Sequence, residues 1–587
     1  MRHHRQFLLV AVALKLATPA FAGRTEDFQK LQDDYWAALL KNSPTLATSV
    51  GVNTYDRQLG EISLAVADRQ VAETAAFLRR LNAIAPKSLP PAQQANHAIL
   101  KDNLESTIEA SKFGQRQLYY SILGSYHGGI AGMGEQQQAF RSYADYDNYL
   151  ARIAFVPDRM KEYGAISVKA ANEGFVQPCV TMTGFPKTIT GVIADDSAKS
   201  RFYAPFAAQR PTNVSEAQWA DLQARAKALI GGKINPSYLA FAATYDRQLK
   251  DRCSKSVSVS SQPNGTAYHA FQVRQQTTTD LTPDAIHKIG LGEVARIRAE
   301  MGRVATKAGF ASREAMIADM RTNPKYFAKT PAELMAAAAL MAKTIDGKMP
   351  DVFNKLARLP YGLKEIPPEI APGSTTAYYQ PGSPVSGVAG YYYVNTSKLD
   401  QRPLWELPAL TVHEAVPGHH MQIATQQELD MPAWRKATSY YTAFVEGWGL
   451  YSERLGIEMG IYDTPQKDMG RLSYEMWRAT RLVVDTGLHS KGWSKEQAVA
   501  FMKDNTALTD ANIDAEVNRY ISNPGQALAY KLGELKIRDL RARAEKALGA
   551  KFDLRRFHDT VLGQGAVPLD VLDAQISRWI EAERNRV

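Results

Sequence analysis

In HEAVPGHH, residues 413–420, two kinds of metal donor, imidazole and carboxylate, stand within a few positions of one another. A catalytic zinc takes three such ligands at about 2.0–2.2 Å and keeps a fourth position for water. Histidines four apart on a helix stack one turn apart and share an ion. Here the fourth position after His413 is Pro417, and the next histidines, His419 and His420, come six and seven residues on. Six residues of straight helix rise about 9 Å, too far for two rings to converge. Pro417, however, lacks the N–H that would bond to the carbonyl of residue 413, and Gly418 tolerates backbone angles other residues resist. A bulge that absorbs two residues here returns His419 to the face of His413.

Downstream, FVEGWGLYSERLG follows a helical pattern and places Glu446 27 residues beyond His419. A second helix packed antiparallel on the first delivers Glu446 as third ligand, so the expected metal set is His413, His419 and Glu446. Glu453 falls on the same face and can accept a ring N–H from a ligand histidine, fixing its tautomer. His420 either replaces His419 or stands behind the ligands or against substrate. Gly447 and Gly449 allow close helix approach, at some cost in helix stability. Glu414, adjacent to a ligand and unable to share its metal, suits a general base that takes a proton from attacking water and returns it to a leaving amine. A further donor must stabilise the developing oxyanion. The candidates are Tyr530 in NPGQALAYK and His489 in DTGLHSKGW. Tyr391, Tyr392 and Tyr393, with Asn395, read either as an edge strand that binds extended substrate or as packing between sheet and helices.

The pattern H-E-x-x-P-G-H-H followed by F-V-E-G-W-x-L-Y-x-E resembles a large bacterial family of exported proteins catalogued as a domain of unknown function. The segments 277–301, 390–397, 481–498 and 519–537 extend that likeness over much of the chain. The motifs also resemble the gluzincins, helical zinc metallopeptidases with a glutamate as third ligand, and especially the thimet oligopeptidase group. There G-H closes the first motif and F-V-E presents the third ligand. Dipeptidyl peptidase III has a first motif longer by one residue, and this sequence is longer by two. The resemblance implies one zinc ion per chain, selects His419 over His420, and implies hydrolysis of short peptides in a helical cleft. Carboxypeptidase, dipeptidase and endopeptidase modes all stay open. The alternatives are hydrolysis of another amide or ester, and a non-catalytic binding protein on the same scaffold.

The elements that hold these residues are mostly helical. Apolar residues recur every three or four positions over 26–50, 66–85, 91–111, 141–172, 216–249, 331–358, 438–460 and 468–490. Thr282, Pro283 and Asp284 mark another helix start, with Ile286, Ile289, Val294, Ile297 and Met301 along one face. Two stretches break that rhythm: the Ser/Thr-rich 253–282, and 359–397, where Pro/Gly punctuation surrounds β-type runs at 375–379 and 390–396. At 587 residues a single core is outgrown. The expectation is a mainly α, two-lobed metallopeptidase-like fold with a small β-sheet near the active-site helix. Its parts would be an N-terminal helical lobe over 23–252, a connection over 253–282 and a catalytic lobe over 283–587.

Residues 1–22 read as a cleavable export signal, with Arg2 and Arg5 before a mostly apolar run and an A-x-A site at 20–22. No cysteine follows that site, so no lipid anchor is expected there. No later apolar run approaches the roughly 20 residues of a membrane span. The expected destination is the periplasm or the medium, without stable membrane insertion. Removing Arg2, Arg5 and Lys15 lowers the formal charge from +10 to +7, and the remaining basic residues are scattered, which argues against nucleic acid. Cys179 and Cys253 are the only cysteines. A Cys-rich metal site is therefore excluded, and the two either pair in an oxidising compartment or stay as buried thiols. Oligomeric state is left open.

Overall fold

The computed structural model describes residues 19–586 apart from 122–123, 137–139, 369–370, 372–373 and 385–386. Most of the signal segment thus lies outside the described residues. The chain is mainly α-helical with one small mixed sheet. Among the described residues no helix is long and apolar enough to cross a membrane.

The helical periodicities become helices, and local chemistry decides where they break. Residues 216–249 form Glu216–Leu229, a π-turn at Ile230–Ile234 and Asn235–Gln248. Gly231, Gly232 and Pro236 sit at that interruption, where the ordinary ladder is weakest. Residues 331–358 stop at Asp346, and a single turn, Met349–Val352, follows with Pro350 near its start. The Pro283–Lys307 helix begins as expected, with the Thr282 hydroxyl accepting from the Ala285 N–H, and buries Ile286, Val294, Ile297 and Met301. The segment 253–282 differs from expectation, because it contains the helix Gly265–Thr277. Burial of His269, Phe271 and Val273 there overrides the poor helical preference of a Ser/Thr-rich stretch.

One apolar core lies wholly within residues 59–249. Another mixes residues 28–104 with residues 345–580, so the first helices pack against the half of the chain that carries HEAVPGHH. The Pro465–Ser490 helix is buried on every side from Met469 to His489 and runs through the centre of this half. Cys179 and Cys253 are disulfide-bonded, and Cys179 N–H donates to the Ser254 carbonyl at 2.8 Å beside the bond.

The sheet has strands β1 (Tyr361–Glu365), β2 (Ala377–Gln380) and β3 (Gly390–Val394) in the order β1-β3-β2, with β1 parallel and β2 antiparallel to β3. In β3 the pleat buries Gly390, Tyr392 and Val394 and leaves Tyr391 and Tyr393 half-buried. β3 is therefore the central strand. The edge-strand reading of GYYYVN is corrected, because both its hydrogen-bonding sides are already taken.

Candidate metal centre

The Leu407–Glu414 helix ends at Glu414, and a new helix, His419–Glu428, starts at His419. A full break thus replaces the bulge expected within one helix. His420 N–H reaches back to the Ala415 carbonyl at 3.1 Å, closing a wide turn around Pro417. Gly418 is required there, because a Cβ would fall 1.9 Å from the His413 carbonyl oxygen and 2.3 Å from that of Val412. The carbonyl of Pro417 accepts a hydrogen bond from Trp448 Nε1 at 2.7 Å.

Trp448 belongs to the Thr442–Leu455 helix, which delivers Glu446. This helix meets the Ala529–Leu548 helix backbone to backbone. A Cβ on Gly447 would lie 2.6 Å from Gly533, and one on Gly533 would lie 1.8 Å from the Ala443 carbonyl oxygen. Gly449 has a different task, since a Cβ there would meet the His413 ring at 2.7 Å. The missing side chain is the space in which the imidazole lies.

His413, His419 and Glu446 converge, with one donor atom from each lying within 4.8 Å of the others. Glu446 Oε2 is 3.6 Å from His413 Nε2 and 3.5 Å from His419 Nε2. Those separations are near the roughly 3.4 Å edge of a tetrahedron with bonds of about 2.1 Å, so the residues fit a shared ion. His413 Nδ1 donates to Glu453 Oε1 at 2.8 Å, which turns Nε2 toward Glu446. Arg478 Nη2 lies 3.1 Å from the same Glu453 oxygen and anchors it.

Burial alone would lower the His413 pKa, but the carboxylates of Glu446, Glu453 and Glu414 outweigh it and hold the ring up at about 9 in the ion-free arrangement. Burial likewise opposes ionisation of Glu446, yet His413 and His419 keep its carboxyl well below the usual range. The cluster is thus set up to hold charge inside the protein.

Glu414 is 9 % exposed and close enough to raise the His413 pKa. Among the described residues no hydrogen-bond donor is paired with its carboxylate. Two tyrosines face this corner. The Tyr530 hydroxyl is raised by burial and by the charge of Glu446, which agrees with its place one turn before Gly533. Tyr440 is 60 % exposed as a whole residue, but its hydroxyl end is desolvated and lies near Glu446, Tyr530 and Glu414, which together raise its pKa. Tyr440 was missed in the sequence, as was Arg478. The only signal for Tyr440 is its place just before the Glu446 helix, and tyrosines are too common for that to single it out.

Other candidates are held elsewhere. His420 accepts from the Tyr379 hydroxyl at Nδ1 (2.9 Å) and donates to the Leu359 carbonyl through Nε2 (2.9 Å). Burial lowers its pKa to about 4, and it ties the second helix to the sheet. His489 does not join the cluster, because Nδ1 accepts from Val259 N–H at 3.2 Å and Nε2 donates to the Tyr520 carbonyl at 3.0 Å. Asn395 is fully buried and donates to the carbonyls of Ala371, Ser374 and Thr375, so it shapes a loop and is closed to substrate. Tyr392 is fully buried against the helices. Tyr391 and Tyr393 share the outer face, where Tyr393 stacks on Tyr378 at 4.8 Å.

A family model described as "Bacterial protein of unknown function (DUF885)" matches residues 44–576. The chain belongs to DUF885. Among solved structures, a "putative lipoprotein from Colwellia psychrerythraea" is similar to this DUF885 chain with a TM-score of 0.87 at 27 % identity, covering 95 % of this chain and 99 % of that one. A "putative lipoprotein of unknown function from Shewanella oneidensis" is similar with a TM-score of 0.72 at 20 % identity, covering 94 % and 99 %, and supports the fold alone. No curated protein matches in sequence.

Proposed function

We propose that this DUF885 protein is an exported zinc-dependent peptidase for short peptides. The observation that carries the reading is Glu414, a nearly buried carboxylate with no donor of its own, next to two imidazoles and a carboxylate spaced for one ion. Two nitrogens and one oxygen are a donor set suited to zinc. A bound zinc supplies a Lewis acid that polarises a carbonyl and makes water nucleophilic near neutral pH. His413, His419 and Glu446 would hold it, with Glu453 and Arg478 fixing the ring of His413. Glu414 takes the proton of the attacking water and passes it to the leaving amine. Tyr440 and Tyr530, whose hydroxyls sense the charge of Glu446, are the candidate O–H donors to the developing oxyanion. Export is supported by the leader-like residues 1–22, by the disulfide, a bond of oxidising compartments, and by the lipoprotein description of the Colwellia relative.

The test combines metal analysis with turnover. Protein purified without a histidine tag or chelator should carry about one zinc per chain and cleave members of a broad short-peptide panel. Glu414→Gln should keep the zinc and lose hydrolysis. Equal turnover by wild type and Glu414→Gln, or a folded wild type that takes up no zinc, would overturn the reading. Zinc without peptide hydrolysis but with Glu414-dependent cleavage of other amides or esters would move the substrate class.

A further inference from the structure

Along the buried Pro465–Ser490 helix, guanidinium and aromatic groups alternate. Arg478 lies over the rings of Tyr474 and Trp477, each at 4.7 Å. Arg481 lies over Trp477 at 4.5 Å and over Tyr530 at 4.3 Å. One end of this stack holds Glu453, behind His413. The other end reaches Tyr530, one turn before the Gly447–Gly533 crossing beside Glu446. The row therefore borders the metal centre at both ends.

Both guanidinium groups share their carboxylates. Arg478 shares Glu453 Oε1 with His413 Nδ1. Arg481 has only a share of Glu516: its Nε donates to the Tyr520 hydroxyl at 2.9 Å and its Nη2 to Glu516 Oε2 at 3.0 Å. Glu516 is also gripped by Arg519 at 3.2 and 2.9 Å and accepts from the Tyr520 hydroxyl at 2.6 Å. One carboxylate thus serves two guanidinium groups. Arg481 is 3 % exposed, yet among the described residues its Nη1 has no hydrogen-bond partner. A buried cation with an idle donor and half a counter-ion is costly unless an anion completes it.

We propose that Arg481 Nη1, backed by Arg519 and bordered by Tyr530, binds the free carboxylate of a peptide substrate beside the metal centre. The planar guanidinium suits a carboxylate oxygen, and the flanking rings of Trp477 and Tyr530 hold it in one orientation. The inference rests on the peptidase reading for its substrate, and it narrows that reading to peptides whose terminal carboxylate lies next to the cleaved bond. Lys531 does not compete for this role, because it is fully buried among Glu293, Glu475 and Glu534 at 2.8–2.9 Å.

The test measures binding, so it does not depend on turnover. Full-length zinc-loaded Glu414→Gln protein is equilibrated with an equimolar mixture of N-acetylated tetrapeptides and the same peptides as C-terminal amides. Retained peptides are quantified by mass spectrometry. The acids should be retained about tenfold or more over the amides. Arg481→Met in that background should bring the ratio close to one, and Arg519→Met should lower it. If Arg481→Met does not fold, the acid-to-amide ratio of the parent and of Arg519→Met decides. Equal retention of acids and amides overturns the proposal, as does a preference undiminished in folded Arg481→Met. An Arg481-dependent preference for acids in a protein that hydrolyses nothing would support the carboxylate site while removing the peptidase reading.

Discussion

The indole Nε1 of Trp448 donates to the carbonyl oxygen of Pro417 at 2.7 Å, joining the two motifs at the point where the first one breaks. The chain must leave helical geometry between His413 and His419 for both rings to face Glu446. That departure leaves a buried carbonyl without a helical partner, and the Glu446 helix supplies the donor. Trp448→Phe strands this carbonyl and leaves part of the buried indole's volume unfilled. It should cost about 1–3 kcal/mol in urea unfolding and should weaken zinc retention during dialysis against a chelator.

Gly449→Ala puts a methyl group 2.7 Å from the His413 ring, whose Nδ1 is already tied to Glu453. The ring has little freedom to retreat. The variant should fold, by far-ultraviolet circular dichroism, with a strongly reduced metal content. Gly418→Ala meets backbone oxygen at 1.9 Å, which cannot yield, and should fail to accumulate as folded protein.

The adjacent histidines should part in their phenotypes. His419→Ala removes a donor from the cluster and should abolish stoichiometric zinc binding with modest loss of stability. His420→Ala removes two partly buried hydrogen bonds, one to Tyr379 of β2 and one to the Leu359 carbonyl just before β1, and should lower the melting temperature, at a cost of roughly 1–3 kcal/mol, while zinc content stays near that of wild type.

His413 and His420 titrate in opposite senses. In the ion-free protein His413 sits at about 9, above its ordinary value of about 6.5. Its contribution to stability is complete below pH 6.5 and fades as the pH rises through 9. Zinc must displace that proton, so uptake at pH 7 should release about one proton, and affinity should weaken up to about tenfold per unit below pH 9. Calorimetry in buffers of different ionisation enthalpy measures both. His420, at about 4, is neutral when folded, so its contribution is complete above pH 6.5 and lost as the pH falls toward 4. His127, also near 4 through burial, acts in the same direction. Chemical denaturation of zinc-free protein between pH 6.5 and 4 should show falling stability, and pH-independent stability there would contradict the assignment.

The Cys179–Cys253 bond closes a loop across a separation of 74 residues. A double Cys→Ser variant should lose about 2–4 kcal/mol. Because both cysteines lie far in sequence from the metal motifs, zinc content at 25 °C should be unchanged.

The sequence by itself determined the helical class and two donors of the cluster, His413 and Glu446, and narrowed the third to His419 or His420. Helical periodicity is local, and His413, His419 and Glu446 lie in short motifs whose chemistry can be read residue by residue. Glu453 was legible for the same reason, since seven residues return a helix to one face. Tertiary structure decided what depends on approach between distant segments. It sent His419 to the cluster and His420 to the sheet, and turned the expected bulge into a full break closed by Trp448. It placed β3 in the middle of its sheet by pairing it with strands on both sides, and closed the disulfide between Cys179 and Cys253. It also tied both nitrogens of His489 to backbone, set Arg478 behind His413 through Glu453, brought Tyr440 near Glu446 and laid Arg481 over Tyr530. A tyrosine or an arginine carries no mark of its neighbours in its own spacing. Its role is set by which helix packs on which, and here by glycines that let backbones touch.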